Sequence, residues 1–595
     1  MLSRKSWLHT IALGGVMILM LAAMGACAGG DEDAPGTSGS APAVAAPSDS
    51  TGTETAAAST PLAAEQFKLF PDDGMPQYGG TLNLAHLDGP TTLSHIDHTT
   101  TYSMIAVNGI YETLVNLEWR ADPVTYTAAV TEGLAKSWDV SADGTVWTFI
   151  LQDDAKWHDG TPVTSADVKA TYEHMVNPGE ATPPGRSYTR PFIDSIETPD
   201  AKTVVLNLKA PNPVLLNNLA VHWTMIVPKS GLDQGYDWFK TNVMGSGPFK
   251  WVPDKWERGI SYQWVRNDDY RDEGVPYLDA KKTFVMQDRG AQLAAFETKK
   301  IDDTWQASPS QAQDLLKKYG EELNLVKVTG GFPHIQINTL RPPFDNPNVR
   351  KALYLWWDRQ EFLDKVHNGA GRLIEWINPI YFKAPGGGGY GTSPEALVRD
   401  NLAWRLDKTE ARLRAKEILA EEGLTDLSKI TVDVVIAGTS GTDFRAGQVL
   451  AAQLRELGFD AKLQAMERVA GFQAHQKGEY DILSRGGVAP FPAPDGMLNR
   501  YVGPGGTRNY TNVEDLVYDA KLDELNATVD PAKRAQIIAW FDEYLQQGTY
   551  PSQILYWFDF NIVRWNYNKG RKYLQPAGHM PDDHSWLAAN APGRK

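Results

Sequence analysis

The chain contains one cysteine, Cys27, so no intrachain disulfide and no cysteine-based metal site can staple the fold. Whatever lies downstream must be held by packed cores, turns and helix caps. Ahead of the thiol, Arg4 and Lys5 form a short positive region, and Ile11 to Ala23 is an apolar run too short for a finished transmembrane helix. Met24-Gly25-Ala26 ends that run, so residues 1–26 read as a cleaved leader. From Ala28 to about Leu69 the chain is Ala, Gly, Ser, Thr, Pro and acidic residues with no apolar period. Such a segment cannot bury enough surface to offset its ordering entropy, and 27–71 reads as a tether.

The chain's 595 residues exceed one hydrophobic core. The formal charge of −16 argues against nucleic acid or an anionic membrane surface as partner, because a phosphate-binding face needs a basic excess. The 19 Trp and 23 Tyr supply rigid amphipathic faces for an interlobe core or for stacking on a ligand.

The stretch WTFILQDDAKWHDGTPVTSADV, Trp147 to Val168, crowds His158, Asp159 and Ser165 into one window and looks catalytic at first. Local physics reads it otherwise. Trp147 to Leu151 has the composition of a strand, Asp159-Gly160 supplies a turn, and Thr164 stands three residues before Asp167 as a capping pair at a helix start. Adjacent His158 and Asp159 on a turn point apart, with no nucleophile fixed beside them.

Other candidate chemistry gives way to plainer readings. Gly386-Gly387-Gly388-Gly389 lacks the Lys-Ser/Thr of a phosphate loop and reads as a flexible loop near a cleft. His86, His95 and His98 follow no helical metal-ligand spacing, so no metal and no cofactor are expected. Asp153-Asp154 and Asp302-Asp303 read as solvated turns, since neither matches a calcium loop.

The blocks YETLV, GLAKSW, DGTVWTFIL, KWHDGTPVTSADV, GSGPF (245–249), RNDDY (266–270) and KKIDDTW (299–305) stand in a specific order. FPHIQINTLRPPFDNPNVRKALYLWWDRQEF (332–362), AKEILAEEGL (415–424), QVLAAQLRELGFDAKL (448–463) and GEYDIL (478–483) continue it. This series, from Gly79 to Trp557, resembles the family 5 extracellular solute-binding proteins of ABC importers, and the leader resembles a bacterial lipoprotein signal. The resemblance implies an α/β, two-lobed periplasmic-binding-protein type II-like fold with an extra domain and a two-strand hinge. Lobe I is expected at 72–113 with 229–335 and 551–595, the extra domain at 114–228 and lobe II at 336–550. The hinge crossings are expected near Ile335–Thr339 and Tyr550–Tyr556.

The functional expectation is then a receptor, lipid-anchored through Cys27, that is not an enzyme. It would capture a small organic solute or peptide between its lobes as a monomer and deliver it to an ABC permease. In peptide-binding relatives, the place of RGGVAPFPAPDG (485–496) carries an aromatic residue and, three positions on, an aspartate for the peptide's amino terminus. Here Gly487 and Pro490 stand there, and proline offers no charge and no amide hydrogen. A true oligopeptide receptor would need Asp495 or Asp97 as a relocated anchor. A secreted hydrolase, the alternative from another class, would need a positioned nucleophile that the spacing does not supply. The candidate ligand contacts are Thr100, Tyr102, Trp305, His334, Arg485 and Phe491, aromatic faces with a few polar anchors.

Overall fold

Leu82, Leu84, Ala85 and His86 are buried in the strand Thr81–His86, so it turns one face inward at its start and is covered on both faces at its end. It runs parallel to Ala280–Val285, and Ser261–Arg266 and Phe249–Trp251 complete the sheet antiparallel. Leu82 and Leu84 meet Phe249, Tyr262, Trp264 and Phe296 in a first core. The computed structural model describes residues 74–94, 96, 101–119, 128–177, 183–380, 382, 389–439, 441–491, 493–570 and 584–594. Cys27 and the leader and tether readings lie outside them.

A second core sits on the antiparallel sheet Ala135–Val140, Val146–Leu151, Thr203–Leu208, Ile193–Asp200. The helix Ser165–Val176 lays Val168, Tyr172 and Met175 on it at the spacing of one helix face. At its start Thr164 and Asp167 form the expected capping box. Thr164 donates its N–H (2.9 Å) and its hydroxyl (2.8 Å) to the Asp167 carboxylate, whose other oxygen accepts the Lys229 N–H at 2.8 Å. The carboxylate, being charged, is a strong acceptor for both donors. The Asp159-Gly160 turn has Gly160 at φ +88° with Asp159 accepting the Thr161 N–H at 2.9 Å.

The third core is the largest and carries a mixed sheet ordered Asp303–Ala307, Trp557–Trp565, Leu323–Ile337, Ile482–Val488, Thr431–Ala437, Asp460–Met466. Leu323–Ile337 is 15 residues long. Its first part pairs with Trp557–Trp565 and its last with Ile482–Val488. Leu323 belongs to the first core and Phe332 to the third, as do Val563 and Trp557 respectively. Two antiparallel strands therefore carry the chain between these cores. The passage lies between Leu323 and Phe332 and between Val563 and Trp557, whereas Ile335 and Tyr550 to Tyr556 already pack inside the third core.

Asp302 and Asp303 correct the reading of a solvated turn: they are 1% and 4% exposed. Asp302 accepts the Asn83 N–H at 2.6 Å and the Tyr567 hydroxyl at 2.9 Å, tying the first sheet to the chain's far end. Asp153 is exposed and meets Lys136 at 2.6 Å. Gly386 to Gly388 lie outside the described residues.

Candidate functional site

Ile482–Val488 pairs with the end of the long strand in the register Phe332↔Gly487 and His334↔Arg485. Directly opposed residues share a face, so the side chains of Phe332, His334 and Arg485 point the same way, beside Gly487. Phe332 packs edge-on to Tyr501 at 5.1 Å and Trp376 at 5.3 Å. Its ring fills the space above Gly487, where a Cβ would come within 2.4 Å of it. The aromatic group at this place thus comes from the neighbouring strand.

His334 is fully buried, with Nε2 2.8 Å from the Gln336 amide nitrogen, which also donates to the Arg508 carbonyl at 2.6 Å. The Gln336 carbonyl accepts the Tyr510 N–H at 2.9 Å. Burial and then the Arg485 charge hold the imidazole well below its ordinary pKa, so it stays neutral. Arg485 lies 5.2 Å from the rings of both Phe472 and Tyr510, and Arg508 lies 6.0 Å from Phe472. Burial alone would push the Tyr510 phenol up, but Arg485 and Arg508 surround it and bring it down to about 8.

Arg500 crosses between cores. It rises from Leu498–Val502, a π-helical turn of a kind common at functional sites. Its guanidinium lies 3.4 Å from the Trp223 ring and donates to the Tyr188 hydroxyl at 2.9 Å, both residues of the second core. Tyr188 stacks on Trp223 at 5.6 Å and meets Phe491 edge-on at 6.3 Å. Beside them the Ser187 hydroxyl lies 3.0 Å from the Thr507 hydroxyl. Pro490 is buried against Gly496, where a Cβ would come within 2.4 Å of the proline ring.

The expected contacts are thus distributed unevenly. His334 and Arg485 are cross-strand partners in this cluster. Phe491 packs into the second core, one ring away from Arg500. Tyr102, on the helix Thr101–Val107, lies 5.9 Å from His86 and feels Arg468, Arg289 and Asp443, with burial pushing its phenol up. Trp305 lies in Asp303–Ala307, but its side chain and all of Thr100 fall outside the description, as do Asp97, His95 and His98. His86 Nδ1 is 2.9 Å from the Tyr262 hydroxyl. Asp495 is engaged elsewhere: it accepts from Arg534 at 2.7 Å, both side chains buried. Arg500, Arg508 and Tyr510 escaped the sequence reading. The signal was three arginines against one aspartate between 485 and 508 in an acidic chain.

Residues 129–509 match the model of bacterial extracellular solute-binding proteins, family 5 middle. The periplasmic oligopeptide-binding protein OppA of Escherichia coli is 25% identical over 462 residues, covering 73% of this chain and 80% of that protein. The structure of the binding protein AgaA from A. tumefaciens in complex with agropinic acid superposes with a TM-score of 0.72 at 27% identity, covering 86% of this chain and 99% of that one. The E. coli murein tripeptide binding protein MppA gives a TM-score of 0.73 at 20% identity, covering 86% and 98%. The fold is the two-lobed α/β architecture of these binding proteins.

Proposed function

The chain belongs to family 5 of the bacterial extracellular solute-binding proteins, and from that premise we propose that it captures a small organic solute between two lobes and hands it to an ABC permease. In this reading 114–228 is the extra domain, lobe I comprises 72–113 with the chain from 229 to the first hinge passage and the chain beyond the second, and lobe II is the segment between the two passages. The pair of long strands is the hinge, which rotates as a unit and buries solute on both sides. Cys27 carries the lipid that holds the receptor, a monomer, at the membrane.

The observation that carries this reading is the bridge of Arg500 to Tyr188 and Trp223, because it places polar anchors and aromatic faces where two cores meet. In this reading His334, Arg485, Phe491 and Tyr102 are further contacts. AgaA, named as holding agropinic acid, supports a solute other than an ordinary peptide. Native mass spectrometry of protein purified without dialysis tests the proposal. A stoichiometric small molecule that dissociates on unfolding is expected. Protein that stays unliganded, with a small-angle scattering profile unchanged by a cell extract, would overturn it.

A further inference from the structure

Arg485 is 7% exposed and Arg500 fully buried. Nε and Nη1 of Arg485, and Nε and Nη2 of Arg500, meet no acceptor among the described residues. A buried guanidinium ordinarily pairs with a carboxylate, because desolvating it unpaired costs several kcal/mol. The one aspartate of this stretch, Asp495, pairs through Oδ1 with Arg534. Trp223 lies against the guanidinium of Arg500 and Phe472 against that of Arg485, while the Tyr510 hydroxyl takes up part of the Arg485 edge by a hydrogen bond. Covered faces leave N–H edges, the part of arginine that forks onto an oxyanion.

We propose that Arg485 and Arg500, with Arg508 beside them, anchor an oxyanion of the solute, a carboxylate or a phosphate, so that the captured molecule is an organic anion. This rests on the receptor reading above and names the class of solute. The protein carries a formal charge of −16, so three arginines gathered here stand against its overall charge. An incoming oxyanion supplies the counter-charge that the fold withholds.

The probe is the small-molecule fraction of a bacterial cell extract, split by anion exchange into a retained pool and a flow-through pool. Each is added to the full-length protein, and binding is read by thermal shift and by native mass spectrometry. The retained pool is expected to add mass and raise Tm. Arg485→Gln and Arg500→Gln, checked for folding by circular dichroism, should bind on the order of a hundredfold more weakly or worse. Without solute, Arg485→Gln should melt no lower than the parent, a result that a merely structural arginine would not give. Phosphatase treatment of the retained pool separates the two oxyanions, since only a phosphate ester loses its effect, with inorganic phosphate alone as control. Binding solely from the flow-through pool, or undiminished binding by both folded glutamine variants, would overturn the anchor and leave the receptor standing. Binding from neither pool would take down the receptor reading, and this inference with it.

Discussion

Phe332 lays its ring on Gly487, its partner across the sheet, so closely that a Cβ at 487 would meet the ring at 2.4 Å and Tyr501 at 3.0 Å. Glycine is required here for space. Gly487→Ala should overpack the third core and cost about 1–3 kcal/mol. In a Phe332→Ala background most of that penalty should vanish. A double-mutant cycle by urea denaturation measures the coupling, and additive effects would refute the packing argument.

Sequence legibility follows the range of the interactions. The strand, turn and capped helix of Trp147–Val168 could be read because each device acts within a few residues. The block order identified the family, and with it the two-lobed fold. Arg500 could not be placed, because its partner Tyr188 is 312 residues away and nothing near either residue announces the other. Phe491, read as a ligand contact, fills the second core, since an aromatic ring on a loop gives no hint of which core receives it. Asp302 and Asp303 look like any acidic turn until Asn83 and Tyr567 arrive beside them.

His158 should act as an acid-labile rivet. Its backbone N–H donates to the Gly245 carbonyl at 2.8 Å, and its Nε2 lies 3.0 Å from the Gly247 carbonyl, pinning the second core's turn to the segment before Phe249. Burial outweighs that hydrogen bond and lowers the ring's pKa from 6.5 to about 4. The unfolded chain therefore binds this proton first as the pH falls. The contribution is complete above pH 6.5 and is lost on acidification toward pH 4, up to about 3 kcal/mol. Denaturation at several pH values, for the parent and for His158→Gln, should give curves that converge in acid. Parallel curves would remove the assignment. Solute affinity should stay within a few-fold in the variant, since the turn is structural.

Tyr510 gives the opposite end of the pH scale. At about 8 it lies below the ordinary 10, held there by Arg485 and Arg508 against burial. Between pH 8 and 10 the unfolded state retains the proton that the folded state has released, so stability should rise with pH across that window and be unaffected below it. The gain is up to about 2 kcal/mol. Tyrosinate absorbance should show one early-titrating tyrosine that is lost in Tyr510→Phe and moves upward in Arg485→Gln. Indistinguishable titrations would show that the arginines do not act on it.

The last prediction concerns peptides. An α-ammonium taken into the cleft needs a counter-charge, worth on the order of several kcal/mol against leaving it unpaired. Pro490 stands where such a carboxylate would be expected, packed on Gly496. Asp495 faces Arg534, and Arg485 and Arg500 place positive charge in the same cluster. Unmodified di- to pentapeptides should therefore bind weakly, and amino-terminal acetylation should not weaken them further. Asp495→Asn should destabilise the fold by about 3–5 kcal/mol, because it strands the Arg534 charge, while leaving solute selectivity unchanged. Calorimetry with a mixed-sequence peptide library decides the matter. Micromolar binding that disappears on acetylation would show that another carboxylate serves as the anchor, and loss of that binding in Asp495→Asn would identify it.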